Sequence, residues 1–147
     1  MNPDFVALLR ELSAADARFL VVGAYAVSFH ARPRTTGDLD VWIEPTAANA
    51  ARAFRALRAF GAPLEGLSEA DLAQPGVVYQ IGVAPRRIDL LTALTALSFE
   101  EAWAGRVLGR FGELEVPFIG REALIRNKRA LGRPRDLADL ELLEPGT

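Results

Sequence analysis

Two aspartates, separated by one residue, open an apolar run soon after a glycine that ends another apolar run. The first run spans 19–22, the glycine is Gly23, and the acidic residues are Asp38 and Asp40. Side chains alternate along a β-strand, so both carboxylates would lie on one face, about 6.5 to 7 Å apart along the chain, with Leu39 in the core. Mg²⁺ prefers oxygen ligands and shares carboxylates with substrate phosphates. The order therefore indicates a metal-nucleotide site, whereas an isolated pair would more often belong to a turn.

A third acidic residue interrupts a later apolar stretch that is predicted to be a strand. Asp89 lies between an isoleucine and a leucine, and the stretch follows another apolar run at 77–81. A carboxylate in such surroundings is costly to desolvate unless it is paired, hydrogen-bonded or bound to a metal. A structural ion pair with Arg86 or Arg87 is one explanation. The other is a three-carboxylate cluster with the first two aspartates.

These features together resemble the DNA polymerase β-like nucleotidyltransferase superfamily. That superfamily combines a Gly-Ser or Gly-Gly turn at the start of a helix, an acidic pair on the next strand and a third Asp on a later strand. The corresponding parts here are Gly23-Ala24, Asp38-Leu39-Asp40 and Asp89. The resemblance implies the minimal nucleotidyltransferase fold, of the α/β (α+β) class, in which helices flank a mixed β-sheet. We expect residues 1–147 to form a single domain.

Two stretches look most like one branch of the superfamily, the small type IV toxin nucleotidyltransferases of the abortive-infection (AbiEii) kind. They are 34–42, around the acidic pair, and 128–140, in which a helical lysine precedes a basic-Asp-x-x-Asp helix. The resemblance implies transfer of an NMP from an NTP to an acceptor hydroxyl. The acceptors compatible with it are a transfer RNA end, a protein Tyr or Ser, and a small molecule. It also implies a toxin–antitoxin system with a cognate toxin or antitoxin as partner.

The resemblance assigns roles to individual residues. The catalytic and metal-binding residues would be Asp38, Asp40 and Asp89, with Mg²⁺ or Mn²⁺ as the metal, and the nucleotide-binding residues would be Gly23, Ala24, Arg34 and Lys128. Guanidinium and ammonium groups complement phosphate oxygens, which favours the last two. Ala24 departs from the pattern because it has no hydroxyl to bind a phosphate. The backbone N–H groups at the start of the following helix still attract anions.

Composition excludes several other classes of protein. The chain has 147 residues, which is the usual size of one domain with a hydrophobic core. It has no Cys and one His, so a disulfide framework, a thiolate zinc site and a His-rich metal site are excluded. The net charge of −2 argues against a strongly basic nucleic-acid-binding protein. Without a secretory leader or a membrane-spanning apolar run, we expect a cytoplasmic protein with no membrane partner.

Local patterns predict alternating helices and strands. Capping residues, prolines, glycines and apolar periodicity place the boundaries. Helices are predicted to begin near Pro3, Gly23, Thr46, Ser68, Ser98, Gly120 and Pro134, and strands to lie at 19–22, 38–43, 77–81, 86–92 and 114–119. The helix from Ser98 is predicted to reach Val107. Strand 114–119 is predicted to be an edge strand because Pro117 lacks an N–H donor.

Two further functions fit the same residues. A non-catalytic nucleotide-binding or regulatory partner in a toxin–antitoxin pair would explain Ala24 and the small size, whereas retention of all three aspartates favours catalysis. A metal-dependent nuclease would use the same carboxylates, but it would leave Gly23 without a phosphate-binding role.

Four aromatic residues are candidates for stacking on a nucleobase, although burial is their more common role. They are Tyr25, Phe29, Trp42 and Trp103.

Overall fold

The computed structural model describes residues 2–33 and 37–145. This part of the chain forms a β-sheet with helices packed against it. In chain order the elements are α1 (Pro3–Ala14), β1 (Phe19–Val22), α2 (Gly23–His30), β2 (Leu39–Ile43), α3 (Ala47–Phe60), α4 (Glu69–Leu72), β3 (Val78–Ile81), β4 (Ile88–Leu91), α5 (Phe99–Ala104), β5 (Val107–Phe111), β6 (Leu114–Phe118), α6 (Arg121–Leu131) and α7 (Pro134–Leu143). No helix in the described ranges is long and apolar enough to span a bilayer.

The sheet contains both parallel and antiparallel strand pairs. Its six strands lie in the order β3-β4-β2-β1-β6-β5. Strand β2 runs antiparallel to β1 and parallel to β4, and β6 runs parallel to β1. The outer strands β3 and β5 run antiparallel to β4 and β6. Helices α1, α2 and α3 contact β1, β2 or β6. The predicted mixed sheet flanked by helices is therefore confirmed.

The centre of the sheet is deeply buried. All of β1 is buried, and so is every residue of β2 except Asp40. Helix α1 contributes Phe5, Leu8, Leu9 and Leu12 to this core, at the helical spacing that the sequence showed. Burial of each such side chain stabilises the fold by about 1.5–3 kcal/mol. Asp40 is thus a carboxylate placed in the middle of the sheet, where its charge needs a compensating partner.

Local hydrogen bonds set several helix boundaries, among them the capping box predicted at Ser98. The hydroxyls of Ser68 and Ser98 accept from the backbone N–H three residues later and complete capping boxes at α4 and α5. Gly61 ends α3 with φ of 90°, which an L-residue with a Cβ rarely adopts.

Two predictions about the second half of the sheet are wrong. Helix α5 ends at Ala104 instead of reaching Val107, and the residues that follow form the edge strand β5. Most of β5 is exposed, so it lacks the alternating burial that marks a strand in a sequence. Strand β6 lies inside the sheet instead of at its edge. Among the described residues, β6 pairs with β1 at Phe118, which lies opposite Val21. This pair requires no hydrogen bond from Pro117, so the missing N–H of the proline costs little there.

Candidate active site

Two parallel strands bring two of the predicted aspartates side by side. Asp40 on β2 lies opposite Asp89 on β4 in the register of the pair, so both side chains extend from the same face of the sheet. Asp38 precedes β2 and projects to that face as well, whereas Leu39 between them is fully buried. All three aspartates line one pocket of about 430 Å³. The rest of its wall consists of Gly23, Ala24, Arg87, Lys128, Arg133, Arg135, Ala138 and Asp139.

Asp40 and Asp89 repel each other when both carboxyl groups are ionised. Burial raises the pKa of Asp40 from 3.8 to about 6, and the negative charge of Asp89 and a hydrogen bond between the two carboxyl groups act in the same direction. The positive charge of Lys128 partly opposes this rise. Ionised Asp40 is therefore held in an unfavourable environment at neutral pH, and a cation bound between the carboxylates would relieve it.

A close backbone approach places the start of α2 against Asp40. Gly23 has φ of 66°, and a Cβ at that position would overlap Oδ2 of Asp40. The N-cap residue of α2, Val22, provides no side-chain hydrogen bond to the first turn. The positive end of the helix dipole therefore opens on the pocket beside the carboxylates, and it can bind a phosphate there. Gly23 and Ala24 form this turn as the sequence predicted.

We expect Gly23→Ala to disrupt the site more than its backbone strain alone would. The matched control is Gly61→Ala, since Gly61 also has positive φ but a Cβ added there would meet no other part of the chain within 4 Å. Both substitutions should lower the free energy of unfolding by about 1 kcal/mol through strain. Only Gly23→Ala should also displace Asp40 and reduce nucleotide binding. Urea unfolding and nucleotide titration of both variants test this, and equal binding by the two would refute the steric role of Gly23.

Arg87 connects two of the aspartates. Its Nε and Nη2 donate to Oδ1 and Oδ2 of Asp89 at 2.6 and 3.1 Å. The same Nη2 lies 3.4 Å from Oδ2 of Asp38, and the backbone N–H of Arg87 donates to Oδ1 of Asp38 at 2.8 Å. The hydrogen bond to Asp89 raises the pKa of Arg87 above its ordinary value. The structural pairing considered for Asp89 thus involves Arg87, whereas Arg86 is exposed.

The donor groups in this pocket suit a hard divalent cation. Asp38, Asp40 and Asp89 supply carboxylate oxygens, which Mg²⁺ and Mn²⁺ prefer. The repulsion between Asp40 and Asp89 favours a cation between them. In the described ranges, however, no group of three acidic or imidazole side chains is arranged to hold a metal ion. The contacts of Arg87 with Asp38 and Asp89 are consistent with that finding.

The opposite wall of the pocket comes from the last two helices. Lys128 of α6 is buried, and its Nζ lies 3.1 Å from Oδ2 of Asp139 and 3.4 Å from Oδ1 of Asp136. Asp136 also accepts from the side chain of Arg133, with 2.6 Å between Nε and Oδ2. Lys128 is therefore at the predicted site, but two carboxylates already bind its ammonium group.

Sequence reasoning missed that α7 forms part of the pocket. Arg133, Arg135 and Asp139 line it, and Arg133 also forms a salt bridge with Asp136. The i, i+3 spacing of Asp136 and Asp139 was the available signal, because it places both carboxylates on one face of a helix.

Of the remaining predicted residues, the four aromatic candidates lie away from this pocket. Arg34 lies outside the residues that the structure describes. Trp42 is buried in the core, and Tyr25 packs between Phe5 and Phe111. Trp103 is covered by the guanidinium groups of two arginines. Phe29 lines a separate cleft of about 590 Å³ beside α5 and α6. None of these four aromatic side chains therefore lines the pocket of the aspartates.

Comparison with solved structures identifies the fold. The lincosamide antibiotic adenylyltransferase LnuA, with lincomycin bound, matches with a TM-score of 0.64 and 12% identity, over 100% of this chain and 98% of that one. ANT(2″)-Ia in complex with adenylyl-2″-tobramycin matches with a TM-score of 0.62 and 12% identity, over 95% and 84% of the chains. A Thermotoga maritima protein classed as a nucleotidyltransferase has a TM-score of 0.59 and 11% identity, over 96% and 92%. No protein-family model and no curated protein sequence matches. The chain therefore has the nucleotidyltransferase fold, as the sequence predicted.

Proposed function

We propose that this chain, folded as one domain, is a metal-dependent nucleotidyltransferase that transfers an NMP from an NTP to an acceptor hydroxyl. The observation that carries the proposal is the pairing of Asp40 with Asp89 beside Gly23 at the start of α2. Carboxylates for a cation and backbone donors for a phosphate meet there in one pocket. The fold shared with two antibiotic adenylyltransferases supports this assignment.

In the proposed reaction, each group of pocket residues would have a separate role. Mg²⁺ or Mn²⁺ held by Asp38, Asp40 and Asp89 would neutralise charge on the triphosphate. The backbone N–H groups at Gly23 and Ala24 would bind phosphate oxygens. Asp89 would accept the proton of the acceptor hydroxyl, whose oxygen forms a bond to the α-phosphorus. The bond between that phosphorus and the bridging oxygen breaks, and pyrophosphate leaves with the electron pair.

The acceptor is proposed at the level of a class. LnuA and ANT(2″)-Ia are described with an antibiotic or its adenylyl product, which makes a small-molecule hydroxyl the first acceptor to test. The similarity of 34–42 and 128–140 to type IV toxins makes a transfer RNA end and a protein hydroxyl the alternatives, with a cognate toxin or antitoxin as partner. Each of these reactions would take place in the cytoplasm, where NTPs are available.

Metal and nucleotide together should stabilise the protein more than either does alone. The triphosphate supplies ligands that the carboxylates lack, and at about 100 times its dissociation constant a ligand adds about 2.7 kcal/mol to the free energy of unfolding. Thermal unfolding with Mg²⁺, with each NTP and with both measures the effect. The matching NMP with Mg²⁺ is the control, because it lacks the β- and γ-phosphates. Additive shifts for all four nucleotides would contradict the proposed site.

Transfer itself is measured with α-labelled NTPs and Mg²⁺ in the presence of aminoglycosides, lincosamides, cellular RNA or cellular protein. Label incorporated into one acceptor, with release of pyrophosphate, would establish the activity and the acceptor class.

The contacts of Arg87 with Asp38 and Asp89 favour a second candidate, the non-catalytic nucleotide-binding protein. Synergistic binding without incorporation into any acceptor would support that candidate over catalysis.

A further inference from the structure

Every carboxylate oxygen of two proposed metal ligands contacts a single arginine. Oδ1 and Oδ2 of Asp89 accept from Nε and Nη2 of Arg87. Oδ1 of Asp38 accepts from the backbone N–H of Arg87, and Oδ2 of Asp38 lies 3.4 Å from its Nη2. The third ligand, Asp40, faces Asp89 instead. A divalent cation on these carboxylates would have to share or replace the arginine contacts.

The guanidinium group and a divalent cation compete for the lone pairs of the same carboxylate oxygens. A carboxylate oxygen that accepts a hydrogen bond from a positive donor is already stabilised, so a metal gains less by binding to it. Displacement of the arginine also leaves a permanently charged group without its partners. The side chain of Arg87 is 29% exposed and lines the pocket, so an anion that enters the pocket can contact its guanidinium group. A triphosphate is such an anion, because its oxygens match the planar donor fork of arginine.

We propose that Arg87 is a positioning residue that holds Asp38 and Asp89 in the absence of metal and releases them to the metal when a triphosphate enters and pairs with the guanidinium. The inference rests on the proposed function. If Arg87 acts in this way, metal and nucleotide bind cooperatively, and the metal binds weakly when no nucleotide is present. Because coupling between two ligands is reciprocal, the metal strengthens nucleotide binding by the same factor.

A purely structural ion pair predicts a different result. If Arg87 only fixes the turn before β4, its removal loosens Asp38 and Asp89, and metal affinity falls or stays unchanged. If Arg87 competes with the metal, its removal strengthens metal binding even though the protein becomes less stable. Because loss of a positive charge by itself strengthens cation binding, the change in metal affinity separates the two roles when Arg87→Met is compared with the charge-retaining Arg87→Lys.

The test compares Arg87→Met with Arg86→Met. Arg86 is the adjacent residue and is exposed, so its substitution removes the same charge without removing these contacts. Mn²⁺ binding is measured from the electron paramagnetic resonance signal of free Mn²⁺, with and without a non-hydrolysable ATP, CTP, GTP or UTP analogue. Without nucleotide, Arg87→Met should bind Mn²⁺ about tenfold more tightly than the wild type, and Arg86→Met should differ less than about twofold. The analogue should strengthen Mn²⁺ binding by the wild type more than by Arg87→Met.

Arg87→Lys keeps the inference testable if Arg87→Met does not fold. Lysine retains the charge but has no fork to contact both carboxylates, so Arg87→Lys should bind Mn²⁺ more tightly than the wild type. Affinity equal to or below that of the wild type in the folded variants would overturn the inference, while metal binding by the wild type with nucleotide would leave the proposed function standing. Absence of Mn²⁺ binding by every variant, with and without nucleotide, would overturn both.

Discussion

Asp40→Asn is expected to lower NMP transfer by at least about 10³-fold, which corresponds to about 4 kcal/mol of lost transition-state stabilisation. Asn has nearly the volume of Asp but lacks the negative charge that a divalent cation requires. A metal ion stabilises the transition state of phosphoryl transfer by several kcal/mol, so removal of this ligand should abolish nearly all NMP transfer. Incorporation of α-labelled NMP, measured on folded protein, gives the effect. A folded Asp40→Asn protein with wild-type turnover would reject the catalytic role of Asp40.

The same substitution is expected to stabilise the metal-free protein. Asp40 has a folded-state pKa raised from 3.8 to about 6, so the fold favours the protonated form over the ionised one. This contribution to stability is fully present below about pH 3.8 and is lost as the pH rises through about 6. Asn carries no charge at any of these pH values. Asp40→Asn should therefore gain stability relative to the wild type as the pH rises from 4 to 7, by about 1–3 kcal/mol.

Urea unfolding at pH 4.5 and 7.5 in the presence of a chelator measures this gain. The control is Asp16→Asn, because Asp16 is exposed and has φ of 57°, which Asn tolerates equally well. It should change the free energy of unfolding by less than about 0.5 kcal/mol at either pH. A smaller stability of Asp40→Asn than of the wild type at pH 7.5 would show that Asp40 supports the fold, contrary to the repulsion described above.

The convergence of the three aspartates could be predicted because it depends on strand geometry. The period of two, continued from β2 to the residue before it, places Asp38 and Asp40 on one face. The position of Asp89 within an apolar strand implies a partner for its charge. Gly23 was predictable as the turn before α2 for a similar reason. Its position directly after the β1 run follows from the local chain, whereas its positive φ and its close approach to Asp40 become visible only in the fold. Periodicity and local turn chemistry thus located one side of the pocket.

The other side of the pocket depends on contacts between distant parts of the chain. The sequence analysis left Arg86 and Arg87 as equal partners for Asp89, although alternation along a strand places Arg87 and Asp89 on one face. The contact of Arg87 with Asp38 depends on how β2 lies against β4. The position of Lys128 between Asp136 and Asp139 depends likewise on how α6 packs against α7. Strand β5 was missed because its exposed residues follow no burial pattern. Propensity and spacing carry no information about such packing.

Asp136→Asn is expected to cause the largest loss of stability among these variants, about 3–5 kcal/mol at pH 7. Asp136 is fully buried. Its carboxylate accepts from the backbone N–H, Nε and Nη2 of Arg133 at 3.1, 2.6 and 3.1 Å. The ammonium group of Lys128 lies 3.4 Å away. Asn removes the charge that caps α7, and the buried ammonium then keeps Asp139 but loses its second carboxylate.

The pH dependence of this loss identifies its electrostatic origin. The hydrogen bonds from Arg133 are the main cause that lowers the pKa of Asp136 from 3.8 to about 2. The stability that ionised Asp136 provides is therefore present above about pH 3.8 and is lost as the pH falls through about 2. The difference between the wild type and Asp136→Asn should shrink by about 2 kcal/mol over that range, because the wild-type carboxyl group becomes uncharged too.

Glu144→Gln is the surface control for Asp136→Asn, since Glu144 pairs with Arg129, whose side chain is 64% exposed. Such pairs contribute about 0–1 kcal/mol, so this variant should differ little from the wild type between pH 2 and 7. Urea unfolding of all three proteins at pH 2, 3, 4 and 7 gives the comparison. If the cost of Asp136→Asn stayed constant across the series, the loss would come from packing and hydrogen-bond geometry instead of charge. In that case Lys128 would not depend on the charge of Asp136 for its place at the pocket.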